Sequence, residues 1–336
     1  MSHSHSPSRR RSLYLLAAAA AAPLAITSRS YAQSDPASYP NRVVRLINPW
    51  NPGGPADIIA QPIVQGLAAA WKQPVIMEHK TGANGVIGTQ FVVKAPPDGY
   101  TLLLSQLGPN VIAPSLGKGT PYDPITDFAP ITQIESNPLV LVVRPELKIN
   151  TVAELIAYGK ANPTALSYAS GGSGSNIHLA GEMLKQLAGI NMIHVPYKGA
   201  APIIADMFGG SISASFLNPS VVAQHVASGK LKAIGVTTAK RSPSQPSIPA
   251  ISETLPGFDV TSWYGLMAPA GTPAPIIDKI YRQVSAIVRT PEVTGIYRAG
   301  FLDVDLTTPD EYARSLKIEV ARYAKLIKDF KITGAE

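Results

Sequence analysis

The chain has 336 residues, no cysteine and a formal net charge of +7. Without cysteine there is no disulfide framework and structural zinc is nearly excluded, so stability must come from an ordinary apolar core. Four arginines before residue 30 (Arg9, Arg10, Arg11, Arg29) stand there without an acid, so +7 minus 4 leaves +3 for the remainder, and no basic run interleaved with aromatics remains to bind nucleic acid.

The first thirty-two residues have the anatomy of an export signal. Arg9-Arg10-Arg11 precedes the alanine- and leucine-rich run Leu13 to Ile26, and Ser30-Tyr31-Ala32 places small residues where a signal peptidase cuts, after Ala32. The run is shorter than the roughly 20 residues a membrane-spanning helix needs. Ser8-Arg9-Arg10-Arg11-Ser12-Leu13 resembles a twin-arginine signal with Ser12 where phenylalanine is usual, which leaves the twin-arginine and general secretory routes both open. The product is expected to be periplasmic and, with no cysteine at the cut, free of a lipid anchor. The 304 residues left by 336 minus 32 exceed a single compact core and fit two domains.

After Tyr39-Pro40, strands and helices alternate. Val43 to Asn48 predicts a strand and Pro55 to Trp71 a helix; Pro74 to Glu78, Asn84 to Lys94 and Tyr100 to Ser105 follow as strand, short helix and strand. Apolar strands separated by helices indicate parallel pairing in a doubly wound sheet. Residues 108–132 are rich in Gly, Pro and Asp and predict a long excursion, after which Leu139 to Val143 begins a second block. Thr151-Val152-Ala153-Glu154 is a capping box. Strands at 166–170, 192–196, 212–216 and 231–237 alternate with helices at 175–188, 200–208 and 219–227, the first of these with Ile177, Leu184 and Leu187 on one side. Residues 260–268 look extended, Thr272-Pro273 is expected to cap a helix to about Val288, and Thr308-Pro309 a longer one to about Phe330.

Two turns carry the chemistry. Trp50-Asn51-Pro52-Gly53-Gly54-Pro55-Ala56-Asp57 joins a strand to a helix start, where unpaired N–H groups and the helix dipole make an anion cradle. Residues 171–178 repeat that arrangement. Catalytic sets are weaker. Gly171-Gly172-Ser173-Gly174-Ser175 fails the nucleophile-elbow pattern at its last position, and Ser175 with His178 three residues on suits a helix cap better than a dyad. The four later histidines lack metal-ligand spacing. Gly82-Ala83-Asn84-Gly85-Val86-Ile87-Gly88 matches neither the dinucleotide nor the Walker phosphate loop. No cofactor, metal or catalytic residue is expected.

In their order and spacing these residues resemble the periplasmic substrate-binding proteins of tripartite tricarboxylate transporters, the Bug family, over essentially the whole mature chain. The resemblance rests on Tyr39-Pro40-x-Arg42, Pro52-Gly53-Gly54-x-x-Asp57, Gly82-Ala83-x-Gly85-x-x-Gly88 and Ala95-Pro96-Pro97-Asp98-Gly99-Tyr100. It continues through Tyr122-Asp123-Pro124-x-x-Asp127-Phe128, Gly172-x-Gly174-Ser175-x-x-His178-Leu179, Val195-Pro196-Tyr197-Lys198-Gly199, Gly229-Lys230-Leu231, Trp263-x-Gly265 and Pro269-Ala270-Gly271-Thr272-Pro273.

The resemblance implies a two-domain α/β periplasmic binding protein fold of type II that closes like a flytrap, each domain a mixed, mainly parallel sheet flanked by helices. The expected division is 33–138 with 262–336 against 139–261, with hinge crossings near 135–142 and 257–265. It implies capture of a carboxylate by the loops Gly53 to Asp57 and Gly172 to Ser175, partly through ordered water, and delivery by a monomer to membrane permease subunits driven by an ion gradient. The expected ligand-binding set is Trp50, Asn51, Gly53, Gly54, Asp57, Asn84, Gln106, Gly172, Ser173, Gly174, Ser175, His178, Asn218 and Trp263. Trp50-Asn51 replaces the family's usual Phe-Ala, Gln61 a common arginine, His79 and Thr81 a frequent Asn and Pro, and Asn84 a small residue. Trp50 either offers a face to an aromatic carboxylate, such as a benzene dicarboxylate, or packs under its loop. Two rival functions stay open: a secreted hydrolase using Ser175 and His178, and a sensor partner of a membrane kinase.

Overall fold

A computed structural model describes residues 1–3, 38–116, 120–329 and 332. The export signal beyond residue 3, its cut after Ala32 and the expected helix end at Phe330 lie outside the described residues. Residues 36–336 form a unit separate from 1–35, and both sheets belong to it.

The first sheet has the order β2-β1-β3-β10-β4, from Val75–His79, Val44–Asn48, Thr101–Gln106, Thr261–Pro269 and Phe128–Pro138. The second has the order β7-β6-β8-β5-β9, from Ile193–Pro196, Ser167–Ser170, Ala214–Leu217, Val140–Val143 and Lys232–Val236. The chain thus passes from one sheet to the other between β4 and β5, and back between β9 and β10. In each sheet two neighbouring pairings are parallel and two antiparallel. β10 runs antiparallel between β3 and β4 because it enters from the second sheet.

Helices α1 (Pro55–Trp71), α2 (Val86–Val93), α8 (Ala274–Val288), α9 (Pro291–Ala299) and α10 (Pro309–Asp329) belong with the first sheet. α4 (Val152–Ala161), α5 (Asn176–Ala188), α6 (Ala200–Phe208) and α7 (Pro219–Ala227) belong with the second, and α3 (Ala113–Ser115) is a short piece between β3 and β4. α5 buries His178, Leu179, Met183 and Leu184, while Ile177 and Leu187 are only half-buried. Among the described residues no helix is long and apolar enough to cross a membrane.

Four local expectations are corrected. The stretch expected to be an open excursion ends in β4, whose alternation is hidden by Pro130 and by buried Thr132, Gln133, Glu135 and Asn137. It begins as a buried π-helical turn, Gly108–Ile112, running into α3. Thr272 does not cap α8: its hydroxyl donates to the Pro269 carbonyl at 2.7 Å, and Pro273 holds the cap position. α9 is an additional helix, which Thr290 caps by accepting the Val293 N–H at 3.3 Å and Pro291 starts. The Thr151 cap is present, accepting the Glu154 N–H at 3.1 Å, but Glu154 reaches back to the Asn150 N–H at 2.7 Å.

α10 grips the return crossing. Trp263, 1 % exposed, donates its indole N–H to Glu319 at 2.5 Å, and Arg322 donates to the Asp259 carbonyl at 2.9 Å and carboxylate at 2.5 Å. Burial pushes the Glu319 carboxyl up to about 7, against the pull of Trp263 and Arg322. The folded chain therefore holds this proton more tightly than the unfolded chain, where a glutamate titrates at ~4.3. Its stabilising contribution is complete below that value and is lost as pH rises through about 7. Glu319→Gln keeps an acceptor for the indole and cannot ionise. Denaturant unfolding at pH 8 should show the variant more stable than the parent by up to about 4 kcal/mol, with the gain shrinking to nothing by pH 4. Parallel pH profiles for the two proteins would remove this assignment.

Candidate functional site

The first glycine loop is tied down from within. Asn48, fully buried at the end of β1, accepts the Trp50 N–H at 3.0 Å and donates to Asp57 Oδ1 at 2.8 Å. Asp57 Oδ2 accepts the Gly53 N–H at 2.6 Å. His79 meets the Trp50 carbonyl through Nδ1 at 2.7 Å, so that nitrogen carries the proton. Gly53 sits at φ 83, a conformation glycine adopts without steric cost. Asp57 is therefore a loop brace, and the Gly53 N–H expected for a ligand is already held by it. The Gly54 and Ala56 N–H groups have no acceptor among the described residues, and Pro55 has no N–H to offer. Those two groups, at the positive end of a 17-residue helix, are what the loop can present to an anion.

The second loop has the same economy. Ser170, fully buried at the end of β6, accepts the Gly172 N–H at 3.0 Å and pairs with His194 Nε2 at 2.6 Å. Ser175 caps α5: its hydroxyl accepts the His178 N–H at 3.1 Å and donates to the Gly172 carbonyl at 2.7 Å. Gly172 (φ 108) and Gly174 (φ 83) turn the chain between them, and Ser173 is half-buried in the same turn. This fixes the roles of the proposed dyad. The Ser175 proton is committed to a carbonyl, and what Ser175 touches of His178 is its backbone. The His178 ring, 3 % exposed, lies 4.6 Å from the His194 ring. Burial and then the neighbouring His194 lower its pKa to about 4. Its Nδ1 is buried with no partner among the described residues.

The loop of the second sheet meets elements of the first at Gly108. A Cβ on Gly108 would lie 3.1 Å from Gln106 Oε1, 3.5 Å from Asn84 Nδ2 and 3.6 Å from the Gly174 carbonyl oxygen. A Cβ on Gly174 would lie 3.2 Å from Leu116 and 3.6 Å from Ala113. Asn51 adds a hydrogen bond across the same divide, from Nδ2 to the Lys198 carbonyl at 2.8 Å. Its amide thus bridges β1's loop to the segment after β7, instead of standing open for a ligand. Trp50 packs its ring edge beside Gly85, 3.3 Å from where a Cβ would stand, with Pro109 at 3.2 Å. Its Nε1 is buried without a partner among the described residues.

Of the expected wall residues, one stands elsewhere and one is tied into the turn beside Gly108. Trp263 is in the core against Tyr312, because the first residues of β10 face α10. Gln106 is 5 % exposed and works within the fold, its N–H donating to Asn110 at 3.0 Å and its Oε1 accepting the Gly108 N–H at 3.4 Å. Asn218 begins α7 half-buried without a side-chain cap. Asn48, Ser170, His194 and Lys198 were missed by sequence reasoning. For Asn48 and Ser170 the available signal was a polar residue closing an apolar strand just before a glycine turn.

Two α/β halves joined by two crossings, each with a glycine turn at a helix start, have the two-domain periplasmic binding protein fold. The chain belongs to the tripartite tricarboxylate transporter family of receptors, whose sequence model, "Tripartite tricarboxylate transporter family receptor", matches residues 59–332. It is similar to an R. palustris protein solved with adipate, at 31 % identity and a TM-score of 0.83, over 88 % of this chain and 99 % of that one. The periplasmic binding protein BugD is 34 % identical with a TM-score of 0.81, over 88 % of this chain and 99 % of that one. MatC of Rhodopseudomonas palustris, solved with malate, is 28 % identical with a TM-score of 0.80, over 86 % of this chain and all of its own, 100 %.

Proposed function

We propose that this chain is an exported receptor that closes over a small organic di- or tricarboxylate and hands it to the membrane subunits of a tripartite transporter. The observation that carries this reading is the pair of glycine turns. One precedes α1 with the Gly54 and Ala56 N–H groups unmatched; the other precedes α5 and rests on the π-helical turn of the opposite half. A carboxylate between two helix starts is held without any cationic side chain. Neighbours solved with adipate and with malate point to the same ligand class. In this reading residues 33–138 and 262–336 form one lobe and 139–261 the other, hinged near 135–142 and 257–265. Residues 1–32 direct export to the periplasm with a cut after Ala32, and the mature chain works as a monomer.

A thermal-shift screen of purified protein against a carboxylate library tests this, since a ligand that binds only the folded state raises its melting temperature by mass action. A shift of several degrees with one or a few di- or tricarboxylates is expected. Shifts with neutral sugars and none with carboxylates would overturn the proposal, as would ester or amide turnover abolished by Ser175→Ala.

A further inference from the structure

Asn84 is an oddly chosen residue for where it sits. Its backbone is left-handed, φ 52 and ψ 42, a conformation glycine serves best and asparagine tolerates. Asparagine in that region commonly bonds its own neighbouring backbone. Here both amide atoms, Oδ1 and Nδ2, are buried and neither has a hydrogen-bond partner among the described residues. A buried carboxamide left unmatched is costly, so in a folded chain it signals an unfilled role.

Its surroundings say what would match it. Nδ2 lies near Gly108, around which Gln106 Oε1 and the Gly174 carbonyl oxygen also gather. Gln106 Oε1 already accepts a hydrogen bond from the Gly108 N–H, so that amide presents its oxygen here. Gly108 is thus flanked by two oxygens and by a carboxamide that offers two N–H donors and one carbonyl acceptor. Exchanging the two Asn84 amide atoms does not alter that inventory. A second carboxylate oxygen, which only accepts, would find the Asn84 amide as its donor group and face several oxygens. A group that carries a proton can give it to an oxygen, and a hydroxyl can also accept from the Asn84 amide.

We propose that Asn84 reads a proton-bearing substituent, a hydroxyl or an amino group, on the bound carboxylate, so that substituted acids are selected over their unsubstituted counterparts. This rests on the carboxylate-capture reading and adds a rule for choosing among carboxylates. It makes Asn84, with the Gly174 carbonyl of the second turn also close to Gly108, a specificity determinant at the meeting of the two halves.

The test uses the full mature chain and three matched series: succinate with malate and aspartate, propionate with lactate and alanine, and benzoate with 4-hydroxybenzoate and 4-aminobenzoate. Calorimetric titration in whichever series binds should show one substituted member at least about tenfold tighter than its unsubstituted parent. Asn84→Gly suits the backbone and should bring that ratio to about one. Asn84→Asp separates the two substituents: an amino ligand is retained or tightened, a hydroxyl ligand weakens. An unsubstituted acid that binds as well as its hydroxy and amino forms, or a preference that survives Asn84→Gly, would overturn the assignment while leaving carboxylate capture intact. If no acid in the three series or in the wider library binds, capture itself fails and this inference with it.

Discussion

Gly88→Val is expected to destabilise the chain by about 4 kcal/mol and to abolish measurable carboxylate binding. A Cβ at Gly88 would stand 2.5 Å from the Lys80 carbonyl oxygen and 3.0 Å from Pro49 Cα. Both are backbone atoms, so neither can swing aside as the end of a flexible side chain could. They are also the exits of β2 and β1, which are joined there by the Lys80 N–H to Asn48 carbonyl bond at 2.9 Å. Making room means moving α2 off both strand ends. α2 follows directly on Asn84 and Gly85, and Gly85 is where Trp50 packs. The damage therefore passes directly into the first glycine loop. Valine adds a second difficulty, because its branched side chain has little rotamer freedom in a helix. Gly88→Ala should cost about half as much. Equilibrium denaturation and a carboxylate titration check both effects; a Gly88→Val protein within about 0.5 kcal/mol of the parent would show that this close approach does not constrain the fold.

The legible part of the fold is the local part. β1, β3 and α1 are apolar in the period their structure demands, and proline behind a threonine at Thr308-Pro309 marks α10. The same signature at Thr290-Pro291 is weaker because α9 is short and half polar. β4 is hidden for a different reason. Its buried Thr132, Gln133, Glu135 and Asn137 are polar residues whose partners come from far along the chain: the Gln133 N–H donates to the Thr307 hydroxyl at 3.0 Å, and Asp303 donates its N–H to Asn137 at 2.7 Å. Burial pushes the Glu135 carboxyl well above its ordinary value, with nearby Asp303 adding to the shift. A glutamate held inside a core cannot be read from a one-letter pattern. Antiparallel insertion of β10 is equally out of reach, since it depends on a strand returning from the other sheet.

The site divides along the same line. Glycines at Gly53, Gly172 and Gly174 are legible because positive φ calls for them. Which N–H groups those turns leave open is not, because Asp57 and Ser170 each occupy one of them. Trp263 shows the limit from the other side. Its place after the crossing suggests a cleft wall, but the direction a strand's first side chains take depends on which helix covers them. Here that helix is α10.

The same self-bracing makes Asp57→Ala the most informative single change in the first loop. Asp57 holds two donors from two elements, the Asn48 amide at the end of β1 and the Gly53 N–H within the turn. Removing the carboxylate leaves the buried Asn48 amide only the weak Met77 sulfur acceptor at 3.7 Å and frees the turn to relax. Hydrogen bonds to a charged group contribute about 1.5–3 kcal/mol each, so losing two should weaken ligand affinity by about 100-fold or more once reordering of the turn is charged to binding. The fold should survive with a smaller loss, about 1–2 kcal/mol, because the core around α1 does not depend on that carboxylate. A direct contact between Asp57 and the ligand predicts something different: its loss would fall mainly on ligands bearing an amino group, since a carboxylate beside an anion is repelled. Titrating aspartate and malate against the parent and Asp57→Ala separates the two. Equal losses for both ligands support the brace; a loss confined to aspartate would make Asp57 a ligand contact, and undiminished affinity for both would show that the turn needs no brace.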